Sequence, residues 1–179
     1  RYKLAKSGFN QDWLAMPLRV GVGHKHSLTF EMGTKDLKTS FTVSYNNIAG
    51  VMKDSYRNTF AGTASITYRK NKLMFREVAT ITRNKTQDSP YGTFSAWTKC
   101  NPYDNPYNED GTPVKSLSTG YSPLYDAMTG TKDETSYLQF TNNFYTEWTP
   151  IDALKLTGRV SLTTKRSDAD EFYPFTHTK

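Results

Sequence analysis

The sequence predicts an all-β protein, an antiparallel up-and-down meander of about six strands. Three observations carry this. Apolar and polar residues alternate with period two over stretches of about ten residues, as in strands with one dry and one wet face. Short turn-forming stretches join these runs in pairs. The connections alternate short and long, so a meander gathers every short turn at one end and every long loop at the other.

The clearest pair runs from Asn58 to Asn84. In its first half Phe60, Gly62, Ala64, Ile66 and Tyr68 share a face opposite Thr59, Thr63, Ser65, Thr67 and Arg69. In its second half Phe75, Ala79 and Ile81 oppose Arg76, Thr80 and Thr82, and Lys70-Asn71-Lys72 forms the turn. Expected strands are 24–33, 37–46, 58–70, 73–84, 137–148 and 154–165. Residues 1–15 show no clean period and read as a connecting segment. Gly33-Thr34-Lys35-Asp36 reads as a turn, and 46–57 as a longer polar connection. Residues 85–134 form a very long irregular loop holding five of the eight prolines (Pro90, Pro102, Pro106, Pro113 and Pro123), and no strand core contains one. Matching dry faces across each hairpin pairs Met32 with Leu37, Tyr68 with Phe75 and Trp148 with Leu154. The last register also sets Phe144 over Gly158.

A chain of 179 residues suits one domain. Mean hydropathy is −0.70 and nothing approaches the ~18 apolar residues of a membrane helix. A membrane β-barrel stays open, because alternating strands give little hydropathy signal. The net charge of +6 is dispersed, with no run of five Lys or Arg, which argues against nucleic acid as partner. Cys100 stands alone, excluding a disulfide framework or thiolate metal cluster. The sequence starts at Arg1 with nothing resembling a secretory signal, so the chain reads as cytosolic or as a piece of something longer. On pattern alone two architectures fit: a wall of an outer-membrane barrel, with short turns at one end and long loops at the other, and a soluble sandwich or lectin-like domain with one elaborated end.

Four blocks narrow this choice: PLRVGVGHKHSL (Pro17 to Leu28), YNNIAGVMKDSYRNTF (Tyr45 to Phe60), SPYGTFSAWTKCNPYDNPYNEDGTPVK (Ser89 to Lys115) and LQFTNNFYTEWTPIDALKLTGRVSLTTKRSDADEFYP (Leu138 to Pro174). In this order they resemble the SusC/RagA family of TonB-dependent outer-membrane transporters, over nearly the whole chain. The resemblance implies an N-terminal plug inside a barrel of about 22 strands. It also implies a SusD-like surface lipoprotein as lid, energy from the TonB complex through the plug, and import of oligosaccharide or peptide across the outer membrane of a Gram-negative bacterium. Residues 1–23 would connect plug to barrel, with Asp12-Trp13-Leu14 where the chain leaves the plug, and 24–179 would be partial barrel. Plug and most of the barrel are absent, and six strands cannot close by themselves. The runner-up function is a soluble β-rich glycan-binding or adhesion domain.

Site residues follow from the same pattern. Asn-Pro-Tyr occurs at 101–103 and again at 105–107, a rigid double turn presenting Tyr103 and Tyr107. With Tyr91, Phe94 and Trp97 these rings are candidates to stack on sugars or a lid, or else to pack on each other and hold the loop still, the reading favoured here. Lys38, Arg76, Glu147, Lys155 and Arg159 would line a lumen or touch a plug, acting collectively. His24 and His26 share a strand face with no third ligand near, so no metal is assigned. Asp104, Asn108 and Asp110 lack the frame of a calcium loop, and Asp168, Asp170 and Glu171 read as a solvated terminal loop. No catalytic motif is present, and the chain reads as no enzyme. In the barrel reading Phe60, Ile66, Tyr68, Phe75 and Ile81 face lipid, which leaves Glu77 and Arg83 as misfits. Arg83 lies near the loop end and can reach headgroups, whereas Glu77 calls for a bulge or a covering partner.

Overall fold

In the computed structural model, which describes residues 2–178, six long strands form one antiparallel sheet. Arg1 and Lys179, the outer ends of the two expected segments, lie outside the described residues. The strands are β1 (Gly23–Gly33), β2 (Leu37–Ala49), β3 (Tyr56–Lys70), β4 (Leu73–Gln87), β7 (Lys132–Ile151) and β8 (Leu154–Phe172). Every neighbour in the sheet is also the next long strand in sequence, so the all-β meander is the observed fold. Short helices α1 (Tyr2–Lys6), α2 (Phe94–Trp97) and α3 (Pro123–Ala127) and a small hairpin, β5 (Ser116–Leu117) with β6 (Gly120–Tyr121), complete it.

The three short turns lie at one end. Lys70 pairs with Leu73, leaving Asn71 and Lys72 as a two-residue turn, and Asn71 takes φ 51°, a left-handed value that asparagine tolerates. Tyr68 pairs with Phe75 as expected. The other two registers differ from expectation by two residues, which preserves the faces. Met32 pairs with Thr39 and not Leu37, because the Thr34 N–H donates to the Leu37 carbonyl at 2.6 Å and tightens the turn onto Lys35 and Asp36. Trp148 pairs with Leu156 and not Leu154, because Ile151 takes Leu154 as its partner beyond an irregularity after Trp148. Gly158 therefore lies under Thr146, whose Cγ2 would sit 3.2 Å from an added Cβ, while Phe144 faces Val160.

Because register preserves parity, each face can be read in rows across all six strands. One face carries Leu28-Val43-Gly62-Ile81-Phe140-Thr164, then Phe30-Phe41-Ala64-Ala79-Asn142-Leu162, then Met32-Thr39-Ile66-Glu77-Phe144-Val160. The middle of the other face carries mostly threonine, serine and asparagine, with Lys38, Arg76 and Arg159 towards the short turns. Cross-strand hydroxyl pairs stitch that polar face: Thr29 with Thr42 at 3.0 Å, Ser40 with Ser65 at 2.7 Å and Thr63 with Thr80 at 3.2 Å. Glu77 sits in the apolar face, and the ladder runs unbroken past it on both sides, so there is no bulge. Instead the Asn142 Nδ2 donates to Glu77 Oε1 at 2.9 Å, and the carboxylate remains exposed.

Among the described residues nothing covers the apolar face; Leu162 is 58% and Val160 66% exposed. The enclosed core lies elsewhere, in a cap at the long-connection end. Trp13, Trp97 and Leu124 form it, with Met16, Tyr91, Cys100 and Leu117 packed around. The expected long loop shrinks to 88–131, since β4 and β7 extend each other's ladder as far as Gln87 and Glu134. Residues 10–22 belong to this cap and not to a free linker. The Trp13 Nε1 donates to the Asn101 carbonyl at 2.9 Å, and the Gln11 N–H to that of Pro102 at 2.9 Å. Arg19 ties the same segment to the β2–β3 connection, its Nη2 donating to the Ser55 carbonyl at 2.7 Å. Asp168, Asp170 and Glu171, expected in a loop, belong to β8, because Ser136, Glu134 and Asp133 pair with them as strand.

Candidate functional site

The five charged residues expected on one face do share the polar face, and register places three of them in one row. That row reads Lys38-Thr67-Arg76-Tyr145-Arg159 across β2, β3, β4, β7 and β8. Glu147 follows two residues beyond Tyr145. It accepts from the Tyr145 hydroxyl at 3.1 Å and pairs with Lys155 at 2.9 Å. The Arg159 guanidinium lies 5.7 Å from the Tyr145 ring centroid, within reach of its π face. Arg76, Met74, Tyr145, Glu147 and Arg159 border an open depression of about 470 Å³. Around Glu147 stand Arg76, Lys155 and Arg159, so the short-turn end of this face carries a local excess of positive charge. Lys38 is set apart, with Glu31 3.5 Å away.

The aromatic candidates divide sharply. Trp97 is fully buried and its Nε1 donates to the Tyr91 carbonyl at 2.8 Å, so it is no stacking platform. Tyr91 leans on it at 5.9 Å between ring centroids, with the Lys53 ammonium 5.7 Å over its other side. Those two rings hold the loop. Phe94, Tyr103 and Tyr107 remain exposed. Each Asn-Pro-Tyr closes on itself: Asn101 Oδ1 accepts from the Tyr103 N–H at 3.0 Å and Asn105 Oδ1 from the Tyr107 N–H at 3.1 Å. The repeat is thus a double turn presenting two tyrosines outward.

Beneath the cap a cavity of about 560 Å³ opens between Asp88, Tyr91, Asp126, Asp133, Tyr173 and His177. Tyr173 and His177 meet edge to face at 4.8 Å. Burial, helped by the charge of Asp54 and by Tyr107, pushes the Tyr91 phenol above its ordinary range, so at neutral pH it is a neutral donor. Of the carboxylates lining the cavity, Asp126 is already engaged, accepting the Thr178 N–H at 3.0 Å and the Thr178 hydroxyl.

Sequence reasoning did not find this cavity or the cap core. Trp13 was the available signal, a lone tryptophan in a segment without period. Asp104, weighed for calcium, is buried and occupied, accepting the Ser118 N–H at 2.8 Å and the Ser118 hydroxyl. Asp110 is occupied too. The Thr112 hydroxyl and N–H both donate to it and hold its carboxyl below the usual range. Among the described residues no three His, Cys, Asp or Glu side chains converge as metal ligands. The His24 and His26 rings lie 5.2 Å apart, tilted by 56° to one another, on the apolar face. No protein-family model matches the sequence, and no curated protein matches it significantly.

Proposed function

We propose that this chain is a section of wall and surface loops of a TonB-dependent nutrient importer of the SusC/RagA kind, in the outer membrane of a Gram-negative bacterium. The observation that carries the reading is the two-faced sheet itself. An apolar face of this breadth, uncovered by any second layer, marks an interface with lipid or a large partner. Leu73 to Arg83 spans the apolar band in about 11 residues, ~34 Å along the strand and ~25 Å at a tilt of ~45°, which fits a bilayer. The hydroxyl-laced face would then line the lumen, with Arg76, Lys155 and Arg159 towards the periplasmic end. The cap would be extracellular, offering Phe94, Tyr103 and Tyr107 to the cargo or to a SusD-like lipoprotein. Cargo would be oligosaccharide or peptide, and energy would reach it from the TonB complex through a plug contributed from elsewhere. No bond-making chemistry is assigned to the chain.

Cell fractionation of the intact protein tests this. The expected outcome is recovery in the outer membrane, with release only by detergent. Recovery in the soluble fraction without detergent sinks the importer. It would instead favour a soluble glycan-binding or adhesion domain, a reading that the uncovered Glu77 carboxylate on the apolar face also supports.

A further inference from the structure

We infer that Arg83 and Arg166 form a binding site for the phosphate of an outer-leaflet lipid headgroup. The inference rests on the reading of the apolar face as lipid-facing and adds to it a specific ligand chemistry. The relevant row lies where the apolar band ends on the cap side: His26-Tyr45-Phe60-Arg83-Leu138-Arg166. The two arginines stand on β4 and β8, on either side of Leu138. Two strand spacings place their backbones about 10 Å apart, the two sides of one lipid headgroup.

The charges around them explain why an anion is wanted. Cap-side of this row the same face holds Lys85, Lys132, Glu134, Asp168 and Asp170. The carboxylates there are already engaged. Glu134 bridges Lys85 and Lys132, the latter at 3.3 Å, and Asp170 lies 2.6 Å from Lys132. Asp168 reaches the Arg166 Nε at 3.6 Å, a loose contact between exposed groups. Four cations thus face three carboxylates, and Arg83 is the one left over, with no carboxylate in ion-pair reach among the described residues. Its lateral neighbours in the row are Phe60 and Leu138, which supply no acceptor. On the other side of the row lie Ile81 and Phe140, suited to acyl chains.

A guanidinium at that boundary snorkels towards the headgroup level, where a phosphate offers it a two-pronged partner. Lysine would give only a point charge. Tyr45 and His26, at the β1 side of the same row, are of the amphipathic kind that sits at a membrane interface. The site therefore fixes both the depth of the sheet in the leaflet and the chemistry of the lipid against it.

The test compares the intact protein with its Arg83→Gln/Arg166→Gln double variant, both purified from membranes in mild detergent. Retained lipid is measured by native mass spectrometry after exchange into nanodiscs of phosphatidylglycerol mixed with phosphate-free digalactosyl diacylglycerol. The wild type is expected to keep phosphatidylglycerol, and the double variant to lose about tenfold in its preference over the phosphate-free lipid. Added inorganic phosphate is expected not to displace the lipid, because acyl chains hold it too. Lys25→Gln/Arg57→Gln, which removes the same charge from the polar face, is expected to leave the preference intact. Equal retention by the arginine double variant overturns the inference, as does equal loss in the polar-face variant or displacement by free phosphate. A wild type that never enters the membrane overturns the importer reading, and this inference with it.

Discussion

The sheet and the cap are held by different physics. In the sheet, ladder hydrogen bonds and cross-strand pairs fix the register, while the apolar side chains point out to where the described residues supply no cover. In the cap, irregular backbone is organised around three buried residues from distant parts of the sequence, Trp13, Trp97 and Leu124. A sheet of this kind is finished by its surroundings. The cap finishes itself. Regions so different respond differently to the same kind of change, and the largest contrast lies at Trp97. Trp97→Ala removes the centre of the cap core and the hydrogen bond to the Tyr91 carbonyl, at a cost of ~3–5 kcal/mol. The expected result is fast proteolysis within 88–131 and loss of amide protection there, with the β2–β3–β4 ladder still protected in hydrogen exchange. Simultaneous loss of protection in both regions would show that the sheet depends on the cap, and the contrast would be gone.

Glu77 sharpens the comparison from the sheet side. A charge in the middle of a lipid-facing band costs up to ~2–4 kcal/mol for the basic residues and less for the acidic ones. Among the described residues its partner is the neutral Asn142 amide, at 2.9 Å. Glu77→Leu is therefore expected to stabilise the folded protein in bilayers by ~1 kcal/mol, measured as a shift of the urea midpoint in vesicles. The flanking Ile66 and Phe144 would take the leucine without rearrangement. In water the same substitution enlarges an exposed apolar patch and lowers solubility. Destabilisation in vesicles would mean that this face does not meet lipid.

What was legible in the sequence follows the same division. Period two determines which face a residue occupies, and a register error of two cannot change that. So the alternation puts Lys38, Arg76 and Arg159 on one face, as found, while the partners it predicts for Met32 and Trp148 are each two residues off. Turn tightness decides register, and it depends on single contacts such as that of Thr34 with Leu37. The cap obeys no period. Trp13 and Trp97 are 84 positions apart, and nothing local announces that they meet at 6.2 Å. Only the Asn-Pro-Tyr repeat was readable there, because an Asx turn is made within three residues.

Cys100 reports on the cap with the smallest perturbation. Burial, with a lesser push from the Asp104 carboxylate, raises its thiol above the ordinary 9.0. Its Sγ donates weakly to the Ala96 carbonyl at 3.7 Å. Alkylation by iodoacetamide at pH 8 is therefore expected to be slower than for an exposed cysteine, since less thiolate is present. The linkage has a definite sign. The folded cap binds this proton more tightly than the unfolded one, so the contribution is complete below the free thiol's pKa and is lost as pH climbs through the folded value. The alkylation rate should accordingly rise more steeply above pH 9 than for a model thiol. Asp104→Asn, which keeps an acceptor for Ser118 but removes the charge, should move that profile slightly down in pH. Trp97→Ala should bring the rate close to that of a free thiol by opening the cap. If neither variant alters the profile, Cys100 is already solvated and the cap core is looser than its geometry implies.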